Sequence, residues 1–167
     1  MKALIIYDSM FGNTERVAQA MATALTDKSE VAARRVGDVN PVEFTGLDLL
    51  IVGSPTQGFQ PTPAIKKLLD ALPAQGLQGV KVTAFDTRIA IEEVGSCFLT
   101  VMVNFFGYAA KPIANRLQKK AGALIAAPEG FIVKGKEGPL KEGELERAAQ
   151  WARQLATIST LAATATA

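Results

Sequence analysis

Histidine is absent from this chain, and cysteine occurs once, at Cys97. The first absence removes the usual general base, the commonest metal ligand and any Ser-His or Cys-His dyad, which argues against hydrolytic chemistry of those kinds. A lone cysteine allows no internal disulfide, so a reducing cytoplasm is the default expectation. Cys97 lies in an apolar run and reads as an inert buried thiol. The chain also lacks an excess of either charge: 18 basic and 16 acidic side chains leave +2, and no basic block interleaved with aromatics occurs, so nucleic acid is not an expected partner. Long hydrophobic runs are scarce too. Ala3 to Tyr7 is too short for a signal peptide's apolar region. Val94 to Ala110 carries no charge over seventeen positions, but Gly95, Ser96, Thr100, Asn104 and Gly107 interrupt it at the lower edge of spanning length, so no transmembrane helix is expected. If the chain is an enzyme, a bound cofactor is expected to carry the reaction.

What is present is an alternation of two periods. With 167 residues the chain is long enough to bury one sizeable core. Strands are expected at 2–7, 31–36, 48–53 and 79–86, and a fifth at 123–127 that breaks at Pro128-Glu-Gly130 and resumes through Val133. Helices are expected at 14–27 from an Asn13/Thr14 cap, from Thr62-Pro63 to Leu72, over 108–121 with Gly122 as its C-cap, and over 141–157. Inner strands apolar on both faces imply a parallel sheet wrapped by helices, an α/β three-layer sandwich. One domain is expected over 1–157, with an Ala/Thr-rich tail at 158–167 that frays.

In such sheets ligands lie beyond the carboxyl ends of the strands. The loops 9–14, 54–60 and 87–95 are therefore the candidate site. In the first, a buried strand, a small polar turn and a helix start follow one another without spare residues. Unpaired backbone N–H groups and the positive end of the helix dipole make this an anion site, most naturally for phosphate.

Tyr7-Asp-Ser-Met-Phe-Gly-Asn-Thr-Glu15 resembles the phosphate loop of flavodoxins, and Gly53-Ser-Pro-Thr56 resembles their second flavin loop, in the form found in flavodiiron-type flavoproteins. Phe85-Asp-Thr-Arg88 and the segment Phe131 to Leu145 look like the corresponding parts of flavodoxin-like single-domain proteins. The resemblance covers nearly the whole chain. It implies a flavodoxin-like five-stranded parallel sheet in the order 2-1-3-4-5 and a non-covalently held FMN. It assigns hydroxyls of Ser9 and Thr14 and the Asn13 amide to the phosphate, with backbone N–H groups from Met10, Phe11, Gly12 and Asn13. Phe11 departs from the pattern, standing where a second hydroxyl is common. Ser54, Pro55, Thr56, Gln57, Gly58 and Phe59 would line the ring, with Gly58 able to turn a peptide cheaply and Phe59 available for stacking. The usual Trp/Tyr pair around the ring is missing, since Trp151 and Tyr108 fall elsewhere. Asp86, Thr87 and Arg88 would reach the pyrimidine end, where a charge on Arg88 would favour anionic reduced flavin.

The resemblance implies an electron-transferring flavoprotein with a redox partner protein. The alternative is a small NAD(P)H-dependent FMN reductase acting on a quinone or similar acceptor, and a third reading is a cofactor-free interaction module of the same fold. A response-regulator reading fails because Asp8 stands alone and the third strand ends in Gly53-Ser54. For the 89–108 segment, an extra buried helix, a lid, a homodimer surface (through 94–110) and a docking patch for a quinone or membrane are all open readings.

Overall fold

In the computed structural model, residues 1–26, 30–89 and 108–164 are described. The readings of Cys97 and of 94–107 lie outside them, as do the last three residues of the tail. Strand β1 (Lys2–Tyr7) is paired on both sides by parallel neighbours, β2 (Glu30–Arg35) and β3 (Leu49–Pro55). Beyond β3 come β4 (Lys81–Ile89) and the short β5 (Ala123–Leu124), giving the order 2-1-3-4-5. A sixth strand, β6 (Glu129–Val133), also pairs with β4. It continues β5: between the two registers β4 moves from Val82 to Phe85 while the partner moves from Leu124 to Glu129. The two surplus residues bulge out around Pro128, which has no N–H to give the ladder. The break thus falls just before Glu129, slightly earlier than the sequence suggests.

Alternation along the strands sorts the core into two layers. Ala3, Ile5, Leu49, Ile51 and Phe85 face helices α1 (Asn13–Leu25) and α4 (Glu144–Thr164). Leu4, Ile6, Leu50, Val52, Val82 and Ala84 face α2 (Pro63–Ala71) and α3 (Ala110–Lys119). All of these strand side chains are buried, as expected for a sheet covered on both faces. Trp151 belongs to the first layer, edge-on to Phe131 at 6.2 Å, and Phe131 is in turn edge-on to Phe85 at 6.0 Å.

Two helix ends differ from expectation. Helix α3 stops in a Schellman turn in which Ala121, at φ 69°, takes the left-handed position expected of Gly122. Gly122 donates to the Leu117 carbonyl one place later, where a Cβ would lie 2.7 Å from Val82. Helix α4 starts at Glu144, because Lys141 still pairs with the Ile132 carbonyl, and runs on through residues expected to fray. Alanine favours helix, and Lys81 Nζ donates to the Ser159 carbonyl at 2.6 Å, tying this last stretch to the sheet.

Candidate functional site

The carboxyl ends of β1, β3, β4 and β6 converge on a cavity of about 400 Å³. Its walls are Ser9, Met10, Phe11, Asn13 and Thr14 from the first loop, Pro55, Thr56 and Gln57 from the second, Thr87, Arg88 and Ile89 from β4, and Val133 and Lys136 from β6 and the loop beyond it.

The first loop is fixed from outside the cavity. Asp8 N–H donates to the Gly53 carbonyl at 3.1 Å, and Arg35 Nη2 donates to the Ser9 carbonyl at 2.7 Å. Gly12 sits at φ 81°, ψ −11°, the left-handed region, and serves as N-cap of α1. No side chain caps this helix. Asn13 and Thr14, expected to cap it, look elsewhere. Asn13 Nδ2 donates to the Glu137 carbonyl at 2.8 Å, and Thr14 Oγ1 shares a 2.8 Å hydrogen bond with Thr87 Oγ1. The first-turn N–H groups are left without a side-chain acceptor beside the cavity. Ser9 is 3% exposed, and its Oγ has no partner among the described residues. A buried hydroxyl in that state costs free energy unless a ligand satisfies it.

The second loop divides its labour. Pro55, Thr56 and Gln57 reach the cavity, whereas Ser54, Gly58 and Phe59 do not line it. Ser54 is fully buried; its Oγ donates to the Pro55 carbonyl and accepts from Thr62 N–H at 3.0 Å, stapling the loop shut. Gln57 and Gln60 exchange two backbone hydrogen bonds of 2.9 Å around Gly58 (φ 50°) and Phe59 (φ 66°). Positive φ at both central residues is the pattern of a type I′ turn, and Phe59 is strained there. The exposed aromatic at the cavity is instead Phe11, beside Met10, whose sulfur accepts from Gln57 Nε2.

Strand β4 extends to Ile89, so Thr87 and Arg88 are strand residues rather than loop residues. Alternation sends Thr87 to the α1 side and Asp86 and Arg88 to the α3 side. Asp86 is fully buried and does not line the cavity. Arg88 Nε and Nη2 donate to its two oxygens at 2.5 and 2.9 Å, and Ala110 N–H donates at 2.8 Å. Burial raises the Asp86 carboxyl above its ordinary pKa, and the Arg88 charge with hydrogen bonds from Arg88, Ala110 and Thr56 pulls it back part of the way. Three converging N–H donors are the contact set of an ionised carboxylate.

Ile89, Val133 and Lys136 were not legible as site residues. The signal that points to them is register: Ile89 pairs with Val133, so the resumed strand ends level with β4 and its following loop meets the same cavity. Among the described residues no group of His, Cys, Asp and Glu could hold a metal ion, and no helix is long and apolar enough to cross a membrane.

A parallel 2-1-3-4-5 sheet with a cavity at the β1 and β3 carboxyl ends and a helix start beside it defines a flavodoxin-like fold. The chain belongs to the flavodoxin family, whose model matches residues 5–151. FMN is the cofactor of that family. A flavodoxin from Maridesulfovibrio salexigens is 34% identical over 89 residues, a match spanning 50% of this chain and 61% of that protein, so the chain is aligned with about three fifths of its curated relative. Oxidised flavodoxin 1 of Bacillus cereus superposes with a TM-score of 0.74 at 18% identity, over 94% of this chain and 98% of that one. Rubredoxin:oxygen oxidoreductase of Desulfovibrio gigas gives 0.71 at 23% identity, over 96% of this chain and 36% of that larger protein.

Proposed function

We propose that this chain binds FMN and transfers electrons through it, with the phosphate held at Ser9–Thr14 and the ring against Pro55–Gln57, Phe11 and Thr87–Ile89. The observation that carries this reading is the buried, partnerless Ser9 hydroxyl beside an uncapped helix start. Phosphate accepts from both kinds of donor, and the helix dipole favours its charge. Lys136 at the same cavity adds a cation. Bound FMN supplies the redox chemistry. The chain's own part is to hold the phosphate, wall the ring with Ile89, Val133 and Phe11, and limit the water that reaches it.

Within this reading the chain is a carrier serving a redox partner protein, in the cytoplasm that its single cysteine suggests. Arg88, the residue that would argue for a two-electron reductase, spends its charge on Asp86. Purified protein is expected to keep flavin absorption bands through gel filtration, and a colourless protein that ignores added FMN overturns the reading. Bleaching of the bound flavin by NAD(P)H alone would instead select the reductase acting on a quinone or similar acceptor.

Ser9→Ala separates binding from folding. It removes a hydroxyl that has no partner among the described residues, so thermal stability of the FMN-free chain should stay the same or rise by up to about 1 kcal/mol. FMN affinity should fall roughly tenfold, the worth of one hydrogen bond to a charged group. Fluorescence titration and thermal unfolding measure the two effects.

A further inference from the structure

Arg88 stands in the wall of the cavity, and among the described residues its guanidinium is held by Asp86, Tyr108 and Gly130. Its Nε and Nη2 grip Asp86 in a bidentate pair, the Tyr108 ring lies 3.7 Å from its guanidinium carbon, and Gly130 is packed so close that a Cβ there would come within 2.1 Å of the same atom. The pair is poorly screened: the side chains are 19% and 0% exposed. Asp86 is itself clamped by Ala110 N–H, the first residue of α3, while Thr56 Oγ1 accepts from Ala109 N–H at 3.1 Å. Residues 86 and 88 lie on one face of β4, so strand geometry alone sets the two charges side by side.

We infer that Asp86 is the built-in counter-ion of Arg88, fixing a charge-compensated guanidinium in the cavity wall so that this arginine gives no net electrostatic preference to reduced, anionic flavin. This rests on the reading of the cavity as an FMN site. Reduction adds negative charge to the ring system, and an uncompensated arginine would attract it. A unit charge within roughly 10 Å, at the effective dielectric of a protein, changes the relative affinity for two charge states by about tenfold. With the carboxylate bonded to it, the guanidinium is held rigidly and carries little net charge. Asp86 is thus a positioning residue: it acts on the flavin through Arg88 without lining the cavity.

Two variants test this through the midpoint potential and the FMN affinity, which together give the ratio of affinities for reduced and oxidised flavin. Asp86→Asn keeps the shape but frees the charge of Arg88, and should raise that ratio roughly tenfold. The double variant Asp86→Asn/Arg88→Met removes both charges and buries no lone ion, so it remains informative where the single variant fails to fold. Its ratio should stay within about threefold of the parent, because the pair it replaces is already neutral. An unchanged ratio in Asp86→Asn, or a tenfold fall in the double variant, overturns the inference. Failure of the parent protein to bind FMN overturns the functional reading and the inference with it, whereas tight parental binding with either of the contrary ratios removes the inference alone.

Discussion

Gly12→Val is expected to raise the dissociation constant for FMN by about 100-fold or more, while riboflavin, which lacks the phosphate, loses far less. Gly12 caps α1 at φ 81°, and a Cβ added there meets no atom of the described residues within 4 Å beyond its chain neighbours. The effect therefore comes from backbone conformation and not from a clash inside the protein. Left-handed geometry costs an ordinary residue about 1–2 kcal/mol, and a β-branched one is a severe outlier there. Relaxing the turn swings the first N–H groups of α1 away from the cavity. Losing two hydrogen bonds to a charged group, at about 1.5 kcal/mol each, gives the expected 100-fold. Gly12→Asn is the control, since asparagine tolerates the left-handed region, and it should retain most of the affinity. Fluorescence titration with both flavins decides the matter: equal losses for FMN and riboflavin would mean that this turn is not the phosphate seat.

Gly53→Ala should destabilise the fold by about 3 kcal/mol, at the upper end of the cost of overpacking a core. Gly53 and Phe85 are register partners on β3 and β4. The Phe85 ring leans over the glycine so closely that a Cβ would lie 2.1, 2.3 and 2.6 Å from three ring atoms. The ring cannot retreat easily, because Phe131 stands edge-on behind it and both side chains are fully buried. For a chain of this size the melting temperature should fall by about 6–12 °C in thermal unfolding of the flavin-free protein. Gly53→Ala/Phe85→Leu should recover part of the loss by clearing the space. A single variant with parental stability would contradict the close approach.

The sheet was legible in the sequence because its inner strands carry a plain physical signature. Leu49-Leu-Ile-Val52 is buried on both faces, and only a covered parallel strand has use for such a run. The first loop was legible because strand, small polar turn and glycine follow one another with no spare residues. Side-chain roles were harder to read. Asn13 and Thr14 look like caps from composition, but tertiary partners 124 and 73 residues away claim them. Ser54 looks like a ligand residue and turns out to tie its own loop together. Phe59 looked like the stacking aromatic, while the two-residue turn that holds it leaves Phe11 at the cavity. Lys136 and Val133 were invisible because their place depends on a bulge that restores the register of β6. The differences at Asn13, Thr14, Val133 and Lys136 come from long-range contacts that local pattern does not encode, and those at Ser54 and Phe59 from how one loop closes on itself.

The bond from Asn13 to the Glu137 carbonyl has a consequence for how the protein is made. Gly138 packs against the same amide, so the start of α1 is braced by residues made 124 or more positions later. Helix α4, which covers the α1 layer, follows later still. A nascent chain ending before residue 137 therefore holds the first loop without this brace. On the FMN reading proposed above, capture of the cofactor by the braced loop waits for that segment. FMN supplied during synthesis would then be held more weakly before Glu137 and Gly138 are in place than after.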